Sequence, residues 1–157
     1  MQELITKANT LLEALPYIQR FSGATFVVKY GGSFMDSTDS AVRSGVARDV
    51  VFIEAVGINP VIVHGGGKAI TRALKQAGVE TRFEQGYRVT TPKSVEVVEQ
   101  VLSREINPGI VGMINKLGGK ARGFSGTEIF RCKPFRPLGQ AGAPLDIGLV
   151  GEVTRGN

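Results

Sequence analysis

The chain has 157 residues, a formal net charge of +5, one cysteine and one histidine. That length suits a single domain burying roughly 68–70% of its unfolded surface without a metal or disulfide staple; the lone Cys132 has no intramolecular partner, which points to a reducing cytoplasm. No apolar run approaches the roughly 20 residues of a membrane span, the N-terminus does not read as a signal peptide, and the scattered Lys and Arg residues make no nucleic-acid stripe, so a soluble protein handling small anions is expected.

Leu4, Ala8, Leu11, Leu12 and Leu15 recur at the spacing of an amphipathic helix from Gln2 to Leu15, with Pro16 ending or kinking it. Such a helix is expected to cap the core; docking on another subunit is the alternative. Thr25 to Tyr30 reads as the first strand and runs directly into Gly31-Gly32-Ser33. Lys29 at its tip would offer an ammonium to phosphate oxygens, or else be a solvated strand-end lysine. Asp36 to Gly57 reads as a long helix, with Ser37 or Thr38 as its N-cap.

The centre of the chain is Asn59 to Lys68. Pro60 to Val63 is wholly apolar, as in a strand buried on both faces of a parallel sheet, and it stops in Gly65-Gly66-Gly67-Lys68 before helical spacing resumes from Ala69 to Ala77. Strand, glycine turn and helix start together offer bare N–H groups and the positive end of a helix dipole to an anion, the glycines being expected to supply positive φ and close approach. The Walker pattern fails, because Ile62 stands where its first glycine belongs and Ala69 where Ser or Thr belongs; the Rossmann G-x-G-x-x-G is absent as well. A tight turn without a ligand is the alternative reading. With the first strand beside it, the carboxyl ends of both strands would open onto one crevice.

Glu80 to Thr91 alternates like a hairpin over that crevice, and Arg88 would give it a planar fork suited to a carboxylate, a surface arginine being the alternative that local evidence favours. A helix follows Pro92 to about Glu105. Asn107-Pro108 reads as an N-cap and first helical position of another helix reaching Leu117, and Ala121–Phe124, Glu128–Cys132 and Gly148–Val153 are short strand candidates.

Taken together, Lys29-Tyr30-Gly31-Gly32, Val61-Ile62-Val63-His64-Gly65-Gly66-Gly67-Lys68 and Gly86-Tyr87-Arg88-Val89-Thr90 resemble N-acetyl-L-glutamate kinase, of the amino acid kinase superfamily. The resemblance runs from about Leu11 to Asn157 and includes Asp146 to Val153. It implies an α/β fold, a three-layer α/β/α sandwich around a mainly parallel sheet, with residues 1–20 as an N-terminal helix and 21–157 as the acetylglutamate-binding domain. The implied reaction is transfer of the γ-phosphoryl group of ATP, as its Mg²⁺ complex, to the side-chain carboxylate of N-acetyl-L-glutamate in arginine biosynthesis.

By the same resemblance Lys29 contacts the transferring phosphoryl group. Gly31, Gly32 and Gly66 bind phosphate through main-chain N–H groups, Gly65, Gly66 and Gly67 line the substrate, and Arg88 grips its α-carboxylate; no residue is assigned to a metal. Tyr17, on a helix similar to that of the arginine-inhibited hexameric branch, would be a partial inhibitor site. A homo-oligomer and a PII-type signalling protein are the implied macromolecular partners. Family members run nearly twice this length, their second half supplying the nucleotide pocket, a further lysine and an aspartate. Ser125-Gly126-Thr127-Glu128-Ile129 also departs from the usual Ser-Gly-Lys-Asp-Gly. A non-catalytic acetylglutamate-binding or assembly module and a truncated fragment are therefore alternatives, both predicting an exposed strand edge and apolar surface.

Overall fold

The computed structural model describes residues 1–31, 39–140 and 142–156. Helix α1 (Gln2–Phe21) leads into strand β1 (Thr25–Tyr30), helix α2 (Ser40–Ala55), strand β2 (Asn59–His64) and helix α3 (Gly67–Gln76). Two short strands, β3 (Phe83–Glu84) and β4 (Tyr87–Arg88), precede helix α4 (Pro92–Glu99), a π-helical stretch (Gln100–Ile106) and helix α5 (Asn107–Lys116). The short helix α6 (Gly126–Ile129) and strands β5 (Phe130–Pro134) and β6 (Gly151–Gly156) complete the order.

Strands β1 and β2 pair in parallel, from Thr25 opposite Asn59 to Tyr30 opposite His64. Helix α2 makes the crossover between them. It is capped by Asp39, whose Oδ1 accepts from the Ala41 amide at 2.8 Å, so the cap is Asp39; Ser37 and Thr38, the expected caps, lie outside the described residues. Gly57, at φ +86°, takes the left-handed position that lets the Ile58 amide reach back to Ile53 O at 3.1 Å and close the helix.

One face of β1–β2 is packed. Buried Ala47 and Val50 of α2 and Ile114 of α5 meet Ile62, with Ile110 and Met113 beside them. A second cluster joins α3 to α4 and the π stretch through Ile70, Leu74 and Val101, of which Leu74 and Val101 are each 1% exposed. Burying such side chains stabilises the fold by about 1.5–3 kcal/mol each. The other face of the strands carries Val27, Val61 and Val63 at 70%, 48% and 53% exposure. The strand at 60–63, expected to be buried on both faces, is thus buried on one, because the alternating residues Pro60 and Ile62 turn inward while Val61 and Val63 turn out.

Four further expectations are corrected. α1 continues through Pro16 to Phe21 and buries no residue, so it does not cap the core; being exposed, it leaves water to satisfy the carbonyl that the proline leaves without a donor. Asn107 is not an N-cap: it sits at φ −58°, ψ −52°, inside a helical run that continues from α4 to α5, and its amide reaches back five residues to Leu102 O. Pro108, which has no amide to donate, follows directly at the start of α5. Ala121–Phe124 forms no strand, since the Asn115 side chain takes the Ala121 amide at 2.8 Å. Glu128 and Ile129 belong to α6, which Ser125 and Glu128 close as a capping box, so the antiparallel hairpin starts at Phe130 and pairs with Gly151–Gly156.

Candidate functional site

The carboxyl ends of β1 and β2 arrive side by side, Tyr30 opposite His64. Beyond Tyr30 comes Gly31, around which a Cβ would meet nothing within 4 Å; Gly32 lies outside the described residues. Beyond His64 the chain turns through Gly65 and Gly66 and enters α3 at Gly67.

The glycines do different work from that expected. None of Gly65, Gly66 and Gly67 has positive φ. Gly66 is buried, and a Cβ on it would lie 2.8 Å from both Ile106 Cδ1 and Leu102 Cδ2, so glycine is required there by the close approach of the π stretch. Gly65 and Gly67 are exposed and have open space where a side chain would stand. The turn is therefore anchored at its middle residue and open on either side of it.

Among the described residues, helix α3 begins at this turn with no side-chain cap on its first amides, and its first turn holds no acidic residue. Its first intrahelical bond runs from Ile70 N to Gly66 O at 2.7 Å. The preceding amide donors and the positive dipole end are left to face an anion. Lys29 lies exposed one residue before the β1 tip, on the uncovered face with Val63 opposite it, and Lys68 is exposed in the first turn of α3.

Arg88 comes to the same place from the hairpin. β3 and β4 are joined by Gln85 at φ +47° and Gly86 at φ +88°, the two-residue turn with both centres left-handed that suits a tight hairpin. The half-buried Arg88 donates from Nη2 to Thr71 Oγ1 at 2.9 Å and from Nη1 to Thr81 Oγ1 at a longer 3.4 Å, and its guanidinium lies 4.7 Å from the centroid of the Phe83 ring. Among the described residues no carboxylate pairs with it. Behind the hairpin, Thr90 exchanges hydrogen bonds with the segment at Ile147–Leu149, where Ile147 is fully buried.

Lys29 and Gly31 thus stand at the end of β1, Gly65, Gly66 and Gly67 form the turn from the neighbouring end of β2 into α3, and Arg88 reaches the start of α3 through Thr71. Tyr17 stands exposed on α1. Sequence reasoning missed three supporting groups. Thr71 sits four residues beyond Gly67, a spacing that marks it as one helical turn above the glycines. Asn107 contacts His64 Nε2 at 3.3 Å and Phe124 O at 3.4 Å from its amide nitrogen, bracing the β2 tip from the π turn. Ser103 and Ser125 share a hydrogen bond at 3.0 Å in the same brace. Among the described residues no three His, Cys, Asp or Glu side chains gather as a metal site, and the arrangement suits an anion held by amides and cations.

Residues 24–154 match the amino acid kinase family. Acetylglutamate kinase from Akkermansia muciniphila is 49% identical over 150 residues, covering 96% of this chain and 50% of that protein. The enzyme of the same name from Geobacter sulfurreducens is 45% identical over 163 residues, covering 100% of this chain and 55% of that protein. Among solved structures, N-acetylglutamate synthase from Neisseria gonorrhoeae, complexed with coenzyme A and N-acetyl-glutamate, superposes with a TM-score of 0.67 at 19% identity, over 95% of this chain and 32% of that one. The Streptococcus mutans protein smu.665 gives 0.64 at 22% identity, over 86% of this chain and 51% of that one. At those identities the two structures speak to fold alone. The chain spans about half the length of the curated relatives it matches.

Proposed function

The chain belongs to the amino acid kinase family, and from that premise we propose that it carries the acetylglutamate-binding groups of an enzyme that phosphorylates the side-chain carboxylate of N-acetyl-L-glutamate with ATP. The observation that carries the reading is the meeting, among the described residues, of an α3 N-terminus without a side-chain cap and a half-buried Arg88 that no carboxylate neutralises. A ligand with an anion at each end suits the pair. The guanidinium takes the α-carboxylate as a planar fork, and the amides at the glycine turn face the end of the ligand where charge builds as the phosphoryl group moves.

In this reading the side-chain carboxylate oxygen attacks the γ-phosphorus of ATP, the bond to the β–γ bridging oxygen breaks, and ADP leaves as an acyl phosphate forms. Such transfers rely on positioning and charge stabilisation, which Lys29, Gly31 and Gly66 would supply. Mg²⁺, carried on the nucleotide phosphates, would supply neutralisation of their charge. Relatives at 45–49% identity named for this activity support the proposal.

The reading extends to a cytoplasmic homo-oligomer in arginine biosynthesis, inhibited by arginine at a site that includes Tyr17 and regulated by a PII-type protein. What supports the oligomer is α1, which leaves Leu4, Leu11 and Leu12 exposed for a second copy to cover; no helix of the described residues is long and apolar enough to cross a membrane. Since the chain spans about half of its curated relatives, an acetylglutamate-binding module without turnover is the second reading.

Calorimetric titration of the chain with N-acetyl-L-glutamate tests the shared claim. Micromolar to millimolar affinity is expected, falling at least about tenfold in Arg88→Ala, as the loss of a charge-assisted hydrogen bond requires. No heat at high ligand concentration overturns it.

A further inference from the structure

We propose that Thr71 is a positioning residue that locks Arg88 to the glycine turn and so fixes the separation between the two anionic groups that the ligand presents. The inference rests on the assignment of Arg88 to the substrate carboxylate.

The hydrogen-bond directions at Thr71 are forced by chemistry. Its hydroxyl has one proton and two lone pairs. Gly67 O, 2.9 Å away, only accepts, so the proton goes there; the Arg88 guanidinium, also 2.9 Å away, only donates, so it takes a lone pair. One oxygen therefore links the fork of Arg88 to the carbonyl of the residue that opens α3. Polarisation along such a chain strengthens both bonds.

A threonine bonding back to the carbonyl four residues earlier is ordinary in helices. The contact to an arginine 17 residues later is not. Thr81 and the Phe83 ring hold the guanidinium from its other sides. All three partners are uncharged, so they orient the fork without cancelling its charge and leave its remaining donors for a carboxylate. Without Thr71 the hairpin still forms, since its turn and its links to Ile147 and Leu149 do not involve that residue, but the fork loses its register with the α3 start.

Thr71 is exposed, so Thr71→Val removes the hydroxyl while keeping the branched shape and sparing the core. Thr71→Ser keeps the hydroxyl. Titration with N-acetyl-L-glutamate is expected to show affinity about tenfold weaker in Thr71→Val, within about twofold of the parent in Thr71→Ser, and no weaker in Thr71→Val/Arg88→Ala than in Arg88→Ala alone. In the ligand-free chain, the heteronuclear NOE of the Arg88 Nε–H group should fall in Thr71→Val and recover in Thr71→Ser. An Arg88 signal indifferent to Thr71→Val, a serine variant as weak as the valine, or additive losses in the double variant would each overturn the proposal. Absence of heat from the parent chain would count against the acetylglutamate assignment alone, because the order of Arg88 is read without ligand and still judges Thr71.

Discussion

The two faces of the β1–β2 ribbon come from the same strands yet meet different surroundings. Val28, Tyr30 and Ile62 turn toward α2 and α5, where Ala47, Val50 and Ile114 are buried. Val27, Val61 and Val63 turn the other way and stay about half exposed or more, with Lys29 among them. Apolar residues on a face the described fold does not cover contribute only part of their transfer energy. The contrast teaches that the stability of this unit is carried by one side of its sheet, while the side bearing Lys29 is left accessible.

The strongest test of that contrast is Ile114→Ala. It should cost about 2–5 kcal/mol in urea denaturation, the usual range for truncating a buried aliphatic side chain. Gly66→Ala should follow at about 1–3 kcal/mol, because its Cβ would press on Ile106 and Leu102; Gly65→Ala, facing open space, should lose clearly less, and equal losses would show that the turn is not pinned at its centre. The smallest effect is expected on the uncovered face, where Val61→Thr should shift stability by no more than about 0.5 kcal/mol and reduce concentration-dependent self-association in sedimentation. A loss comparable to that of Ile114→Ala would mean that the two faces are equally covered.

Much of this was readable in the residues. Strand β1, α3, the hairpin at 83–88 and the parallel βα arrangement follow from local periodicity and turn chemistry, which act within a few residues. The family resemblance carried by Lys29-Tyr30-Gly31, His64 to Lys68 and Gly86 to Thr90 agrees with the family match over residues 24–154. What the residues did not reveal depends on partners distant in sequence. Gly66 looks like a residue chosen for backbone freedom, and only the side chains of Leu102 and Ile106 disclose that it was chosen for size. Asn107 before a proline has the features of a helix start, and only the contacts with His64 and Phe124 give its side chain another use. Pro16 reads as an end or a kink, yet α1 lies exposed and runs on through it to Phe21.

The wide turn between Gln100 and Ile106 bears on how one rod serves two interiors. Val97, Val98 and Val101 of its first part are committed to α3, whereas Ile110, Met113 and Ile114 of its last part are committed to the sheet. A surplus residue in the coil shifts everything downstream by about 100° relative to an unbroken helix of the same length. The rod thus changes its bearing midway without pausing for a loop, and the amide of Asn107 marks the point where the new heading begins.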